Sequence, residues 1–311
     1  YIAKRQKNKP FFESKIKIML FLPSDTEYII ETLQKNGYEA FAVGGCVRDM
    51  LNGDTPHDFD ITTSAEPETV MSLFEKTVPT GIKHGTVTVI INGVPNEVTT
   101  YRTDGEYRDH RRPDSVIFVK SLREDLARRD FTVNAMAYNQ KDGLKDFFGG
   151  RKDIENRILR AVGEPGRRFY EDALRIMRLF RFSSVLGFDI EENTLKAALE
   201  YAPTLKSVSA ERIYSEILKT HCGKNPAALK PLTDIGGLGF LGVNISPDYG
   251  ILPLLGSADT KLFAFLFSGG AEVSPALDFL KVPNKTKKAA QDMLTLLNMP
   301  FPKTKPEIKE M

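Results

Sequence analysis

Apolar positions along the chain mix strand and helix spacing up to about residue 160 and keep a mainly helical spacing beyond it. Upstream, short runs such as Ala40–Val43, 86–91 (TVTVII) and 96–101 (NEVTTY) are β-branched or continuously apolar and read as strands. Asn92-Gly93, at the start of the loop between the last two, is a strong hairpin signal. Ser24-Asp25-Thr26-Glu27 has the form of a capping box ahead of a helix face made by Ile29, Ile30 and Leu33, which ends at Gly37. Pro67 opens a second predicted helix running to Lys76, and 121–150 is expected to hold a helix with Arg128, Arg129 and Asp130, then FTVNAMAY and a Gly149-Gly150 turn. Downstream, β signals fade. Over 168–182, Phe169, Ala173, Ile176, Met177 and Phe180 form an apolar stripe opposite Arg168, Glu171, Asp172, Arg175 and Arg178, which predicts one continuous amphipathic helix. Further helices are expected at 191–201, at 209–221 with Ser209 as cap, and at 284–298. The predicted fold is α+β: a head with a mixed, largely antiparallel sheet, then an all-helical neck and body. We divide it as 1–23 extension or leader, 24–155 head, 156–222 neck and 223–311 body.

Composition narrows the class. A chain of 311 residues with 41% hydrophobic content can bury real cores. Its 43 basic and 41 acidic residues nearly cancel, so any contact with nucleic acid must come from local clustering of charge. Cys46 and Cys222 lie far apart and suggest no disulfide framework, which fits a reducing cytoplasm; Cys46 reads as a small packing residue. No apolar run approaches the ~20 residues of a membrane span, so no membrane is implied. Lys17 interrupts the apolar stretch 16–22 and no small-residue cleavage site follows, so residues 1–18 do not read as a signal peptide.

The chemistry concentrates in 40–61, AFAVGGCVRDMLNGDTPHDFDI, read as strand, Gly-Gly turn, short helix, loop and a strand carrying two aspartates. Alternation along that strand aims Asp58 and Asp60 one way and Phe59 and Ile61 into a core. Two carboxylates so placed repel unless a divalent cation sits between them, and oxygen-only ligation suits Mg²⁺ held with substrate phosphates. The helix opened by Gly44 and Gly45 offers backbone N–H groups to a phosphate. Glu97 is either a third carboxylate near the aspartates or a solvent-facing strand glutamate, and strand order decides between them. Segment 102–114 is too charged to pack and has breakers at Gly105 and Pro113; it reads as a mobile loop of the kind that closes over a site. Asp172 and Arg175, three apart on a helix, are either a surface ion pair or an acceptor and donor fork matched to a nucleobase edge. The four histidines, without Cys clustering, make neither a zinc site nor an assigned catalytic base.

Gly-Gly joined to D-x-D resembles the nucleotidyltransferase superfamily signature. The wording Val43-Gly44-Gly45-Cys46-Val47-Arg48-Asp49 narrows the resemblance to class II tRNA nucleotidyltransferases and the bacterial poly(A) polymerases related to them. That resemblance implies Asp58 and Asp60 as ligands of two Mg²⁺ ions, with Glu97 a candidate third catalytic carboxylate. It assigns the nucleotide to Gly44, Gly45, Arg48, Arg129, Asp130, Asp172 and Arg175; Arg178 and Arg181, which continue the template helix, are candidate nucleotide-binding residues that meet either triphosphate or tRNA backbone, or else stand as solvated arginines. Within Glu171-Asp172-Ala173-Leu174-Arg175, Asp172 and Arg175 would pair with incoming CTP or ATP; Arg128-Arg129-Asp130 would contact ribose and triphosphate; Ser209-Ala210-Glu211-Arg212-Ile213 would brace the template helix. Asp104, Gly105, Tyr107, Arg111 and Arg112 fall in the family's flexible loop. Pro79–Thr86, in place of a basic Gly-Arg-Arg-Phe-type stretch, favours CCA addition over poly(A) addition; enzymes adding only the final A have similar templates. The implied activity is addition of C, C and A to the tRNA 3′ end, with no protein partner, the contrasting alternative being an RNA-binding module with a degenerate transferase head. Members of this class usually carry a C-terminal tail domain, expected here to be absent or truncated.

Overall fold

The structure, a computed structural model, describes residues 20–105, 116–239 and 246–298. The expectations for residues 1–18, for Tyr107, Arg111 and Arg112, and for the chain after 298 lie outside the described residues.

The head opens with α1 (Ser24–Lys35), β1 (Ala40–Val43), α2 (Gly45–Asn52), β2 (Ile61–Thr63), α3 (Pro67–Leu73), β3 (Thr77–Gly81), β4 (Thr86–Ile91) and β5 (Val94–Thr100). There follow β6 (Arg102–Asp104), β7 (Val116–Phe118), α4 (Leu122–Ala127), β8 (Met136–Asn139), β9 (Gly143–Asp146) and α5 (Gly150–Asn156). Seven strands form one mixed sheet in the order β3-β4-β5-β2-β1-β8-β9, in which only β2 and β5 run parallel. The β4–β5 turn is the two-residue loop Asn92-Gly93, both at positive φ (52° and 82°), as a twist-matched hairpin requires. β6 and β7 pair separately, at the base of segment 102–118.

β1 is apolar at every position because both of its faces are covered. Ala40 and Ala42 enter the main core with Ile29, Leu33 and Val47, while Phe41 and Val43 meet Leu122 and Leu126 of α4 on the other face. The neck and body continue with β10 (Ile158–Leu159), α6 (Pro165–Glu171), α7 (Leu174–Leu186), β11 (Asp189–Ile190), α8 (Glu192–Glu200), α9 (Ala210–His221), α10 (Lys230–Asp234), α11 (Ala258–Ser268), α12 (Val273–Phe279) and α13 (Asn284–Asn298). α7 carries Ile176, Met177, Leu179 and Phe180, all fully buried, and packs along α9.

Several expectations are corrected in detail. Pro23, not a capping box, precedes α1, and no side chain caps that end. Ser209 stands at the N-cap of α9 but makes no side-chain cap bond. α3 stops at Leu73 rather than Lys76, and a two-stranded parallel pair, β10–β11, lies inside the neck that was expected to be all-helical. The amphipathic helix predicted over 168–182 is two helices, broken at Asp172 and Ala173. Among the described residues, no helix is long and apolar enough to cross a membrane.

Candidate active site

β1 delivers the chain into Gly44, whose φ of +81° lies in the region glycine favours. A Cβ there would stand 2.8 Å from Arg129 Nη1, so the glycine also gives that guanidinium its place. Gly45 starts α2, whose first N–H groups have no partner within their own helix. Asp58 and Asp60 are not inside a strand, as the alternation predicted: β2 begins at Ile61, and the aspartates lie on the run-in to it. That run-in is nevertheless anchored, because Val43 N–H donates to the Asp60 carbonyl at 2.9 Å. The parallel register pairs Ile61 with Val98, which brings Glu97 alongside Asp60. Asp58, Asp60 and Glu97, with His57, Thr88 and Asn96, line one cavity of about 580 Å³.

The Asp60 carboxyl titrates above its ordinary value. Surrounding protein atoms are the main cause although the residue reaches solvent; the Asp58 charge adds to it, Arg129 opposes it, and Glu97 adds a smaller push. Among the described residues, no group of three or more His, Cys, Asp or Glu side chains is arranged to hold a metal by itself. An oxygen-only set of mutually repelling carboxylates fits a hard cation that keeps waters and draws its remaining ligands from substrate phosphates.

α4 ends at Ala127, so Arg128, Arg129 and Asp130 leave the helix instead of riding on it as expected. The two arginines are gathered by Asp125, a fully buried carboxylate that the sequence pattern did not single out. It accepts from Thr62 Oγ1 at 3.2 Å, from Arg102 N–H at 3.3 Å and from Arg128 at 2.9 Å, with Arg129 Nη2 at 3.7 Å. Asp130 accepts from Arg178 Nε and Nη2 at 2.8 and 2.5 Å and from Asn134 Nδ2 at 3.1 Å. Asn134, a second residue without a sequence signal, accepts in turn from Arg48 Nη1 at 2.6 Å. Burial alone would raise the Asp130 pKa, but Arg178, the Asn134 amide and Arg175 together hold it well below the carboxylate range. A single chain of charged hydrogen bonds, Arg48–Asn134–Asp130–Arg178, thus crosses from the glycine turn of the head to the first long helix of the neck.

The break between α6 and α7 changes how Asp172 and Arg175 relate. Asp172 is extended (φ −137°, ψ 103°), and its Oδ1 accepts from Leu174 N–H at 3.0 Å, starting α7. Its Oδ2 faces Arg212 Nη2 at 3.7 Å, so the Ser209–Ile213 element does touch this turn. Burial raises the Asp172 pKa, while Arg212 and Arg175 pull it down. Arg175 is buried, not displayed on an open helix face: Nη1 donates to Glu171 at 3.1 Å and to Arg168 O, and Nη2 donates to Arg128 O at 2.8 Å. The guanidinium has five N–H groups, so these three bonds leave two for a ligand. Neither residue lines the aspartate cavity; segment 128–130 relates the two sites, the Arg128 carbonyl accepting from Arg175 while the Arg129 charge acts on Asp60. Arg181 pairs with Glu216 at 2.5 Å. Asp104 ends β6 and Gly105 follows it.

Residues 40–160 match the family described as the poly A polymerase head domain, and 187–237 match one described as a probable RNA and SrmB-binding site of polymerase A. A CCA-adding enzyme of Geobacillus stearothermophilus is 44% identical over 279 residues, covering 86% of this chain and 69% of the relative. The chain belongs to the CCA-adding enzyme family. The CCA-adding enzyme of Geobacillus thermodenitrificans is 52% identical over 210 residues, 68% of this chain; like other curated CCA-adding relatives it is matched over about half its own length, 52%. A crystal structure of the Bacillus stearothermophilus CCA-adding enzyme in complex with CTP superposes with a TM-score of 0.79 at 41% identity, over 89% of this chain and 71% of that one. Membership of the CCA-adding family implies dependence on a divalent cation.

Proposed function

We propose that this chain adds C, C and A to the 3′ end of tRNA from CTP and ATP without a nucleic-acid template, releasing pyrophosphate. The observation that carries this reading is the position of Arg128–Asp130. One side of that segment reaches the Gly44 turn and Asp60, and the other holds Arg175 and Arg178. A related CCA-adding enzyme solved with CTP supports the same assignment.

In this reading Asp58 and Asp60 hold two Mg²⁺ ions, with Glu97 close enough to join them. When bound, the ions lower the pKa of the acceptor 3′-hydroxyl and neutralise charge on the triphosphate. The chain's own groups then position the reactants. The N-terminal turn of α2, Arg48, Arg129, Arg178 and Arg181 receive the triphosphate, and Asp130 faces the ribose. Asp172 supplies an acceptor and Arg175 a donor edge, and a base matching both is held in line for attack on its α-phosphate. Because the donors of Arg175 are fixed by Glu171 and two carbonyls, the reader is stiff, and stiffness is what discrimination between bases requires.

The test is incorporation of radiolabelled CTP into tRNA lacking its 3′ end, followed by ATP into tRNA ending in CC. Both reactions are expected, and both should vanish in Asp60→Ala while the melting temperature stays near that of the parent. ATP incorporation alone would assign the chain to A-only addition. Absence of both would leave an RNA-binding module, and full activity in Asp60→Ala would remove the mechanism.

A further inference from the structure

Phe182 lies on α7 one residue beyond Arg181, is 7% exposed, and meets Phe131 of the head edge to face at 5.8 Å. Three guanidinium carbons gather around its ring: Arg181 at 3.9 Å, Arg178 at 5.2 Å and Arg48 at 5.3 Å from the centroid. Two of these arginines belong to the neck; the third comes from α2 of the head. Three like charges within a few ångströms oppose their own convergence, and each is partly balanced by an acceptor away from the ring: Glu216 for Arg181, Asp130 for Arg178, Asp49 and Asn134 for Arg48. The ring adds what those acceptors do not. The negative face of its quadrupole attracts the cations, and a planar guanidinium lying on a flat ring keeps its N–H groups in its own plane, where they can bond to groups at its edge. Arg48 borders the glycine turn directly, with Nη2 3.6 Å from where a Gly45 Cβ would lie.

We propose that Phe182 is a positioning residue for the nucleotide triphosphate, orienting Arg48, Arg178 and Arg181 as one anion cradle beside the Gly44-Gly45 turn. The assignment rests on the nucleotide-addition reading for the identity of the anion, not for the geometry of the cradle. Because Phe182 touches arginines and not the base reader Arg175, its influence falls on phosphates and is the same for CTP and ATP.

The experiment compares the parent with Phe182→Leu, Phe182→Tyr, and a protein whose Phe182 ring is pentafluorinated, which keeps the ring's shape while reversing its quadrupole. Calorimetric affinities for pyrophosphate, CTP and cytidine are measured for each, together with melting temperatures and the KM and kcat of incorporation. The pentafluoro and Leu proteins are expected to bind pyrophosphate and CTP about ten-fold more weakly, a change of ~1.4 kcal/mol, with cytidine unaffected. KM for CTP and ATP should rise by the same factor while kcat holds, and the Tyr protein should behave as the parent. An unchanged pyrophosphate affinity in a normally folded pentafluoro protein overturns the proposal, as does an equal loss of cytidine binding. If Leu fails to fold, the pentafluoro and Tyr proteins decide. A parent that binds pyrophosphate but incorporates no nucleotide would overturn the reaction and leave the cradle testable.

Discussion

At Gly44, backbone and side-chain requirements coincide on one atom. Gly44→Ala meets a backbone conformation (φ 81°, ψ −122°) that side-chain-bearing residues avoid, costing ~1–3 kcal/mol, and pushes into Arg129 Nη1. Arg129 is a movable side chain, so the fold should survive while triphosphate affinity falls; the expected outcome is a modest drop in melting temperature with at least ~ten-fold higher KM for both nucleotides. His221 presents the opposite case, a titratable group serving packing alone. It is fully buried on α9, 4.4 Å from the Phe265 ring, and neither of its nitrogens has a hydrogen-bond partner among the described residues. Burial, with a smaller push from the Lys261 charge, brings its pKa down to about 3. Between that value and the ordinary ~6.5 the unfolded chain binds a proton that the native state refuses. Stability is therefore fully present above about pH 6.5 and declines as pH falls toward 3, at up to ~1.4 kcal/mol per pH unit. Urea midpoints measured at pH 7 and pH 5 should show this acid loss in the parent, and a smaller loss in His221→Phe.

Among the elements, the break between α6 and α7 has the largest consequence. A continuous helix would hold Asp172 in helical backbone geometry, not the extended one it adopts, and would leave Arg175 beside it on an open face. The break frees Asp172 to cap α7 and turns Arg175 inward onto the Arg128 carbonyl. Arg175→Ala is expected to relax the choice between CTP and ATP more than it slows transfer, whereas Asp172→Ala should also lose the cap, at ~1 kcal/mol of stability. Misincorporation ratios alongside melting curves check both. The stripe of apolar residues was legible here because Phe169, Ile176, Met177 and Phe180 are buried in either arrangement; the break was not, because no glycine or proline marks it. Likewise the Asn92-Gly93 turn, β4, β5 and the Gly44-Gly45 turn could be read directly from residue type. The place of Glu97 could not, since it depends on β5 lying parallel to β2, a pairing between segments some 37 residues apart. Asp125 and Asn134 escaped notice for a related reason: they act on Arg128, Arg129 and Arg48, and only the packed fold brings Thr62, Arg102 and Arg48 to them.

For the molecule as a whole, a formal net charge of +2 provides little long-range attraction for a polyanion. Most arginines near the glycine turn are already engaged by Asp49, Asp125, Asp130 or Glu216, so they read as a site for a small anion and not as an open surface for a long one. Under the proposed function, grip on tRNA comes from basic residues elsewhere, and the exposed Lys206, Lys219 and Lys224 fall in 187–237, the stretch matching the probable RNA and SrmB-binding family. Each phosphate neutralised by such a lysine releases condensed counterions, so the logarithm of tRNA affinity should fall with the logarithm of salt, by about 0.7–0.9 per neutralised phosphate. Steady-state assays across a salt series are expected to show a steep rise in KM for tRNA and a shallower one for CTP. Replacing Lys206, Lys219 and Lys224 together by glutamine should flatten the tRNA slope by up to about one unit for each phosphate that no longer meets a lysine, and leave the CTP slope in place. An unchanged tRNA slope in that variant would move the RNA-gripping surface away from this part of the neck and body.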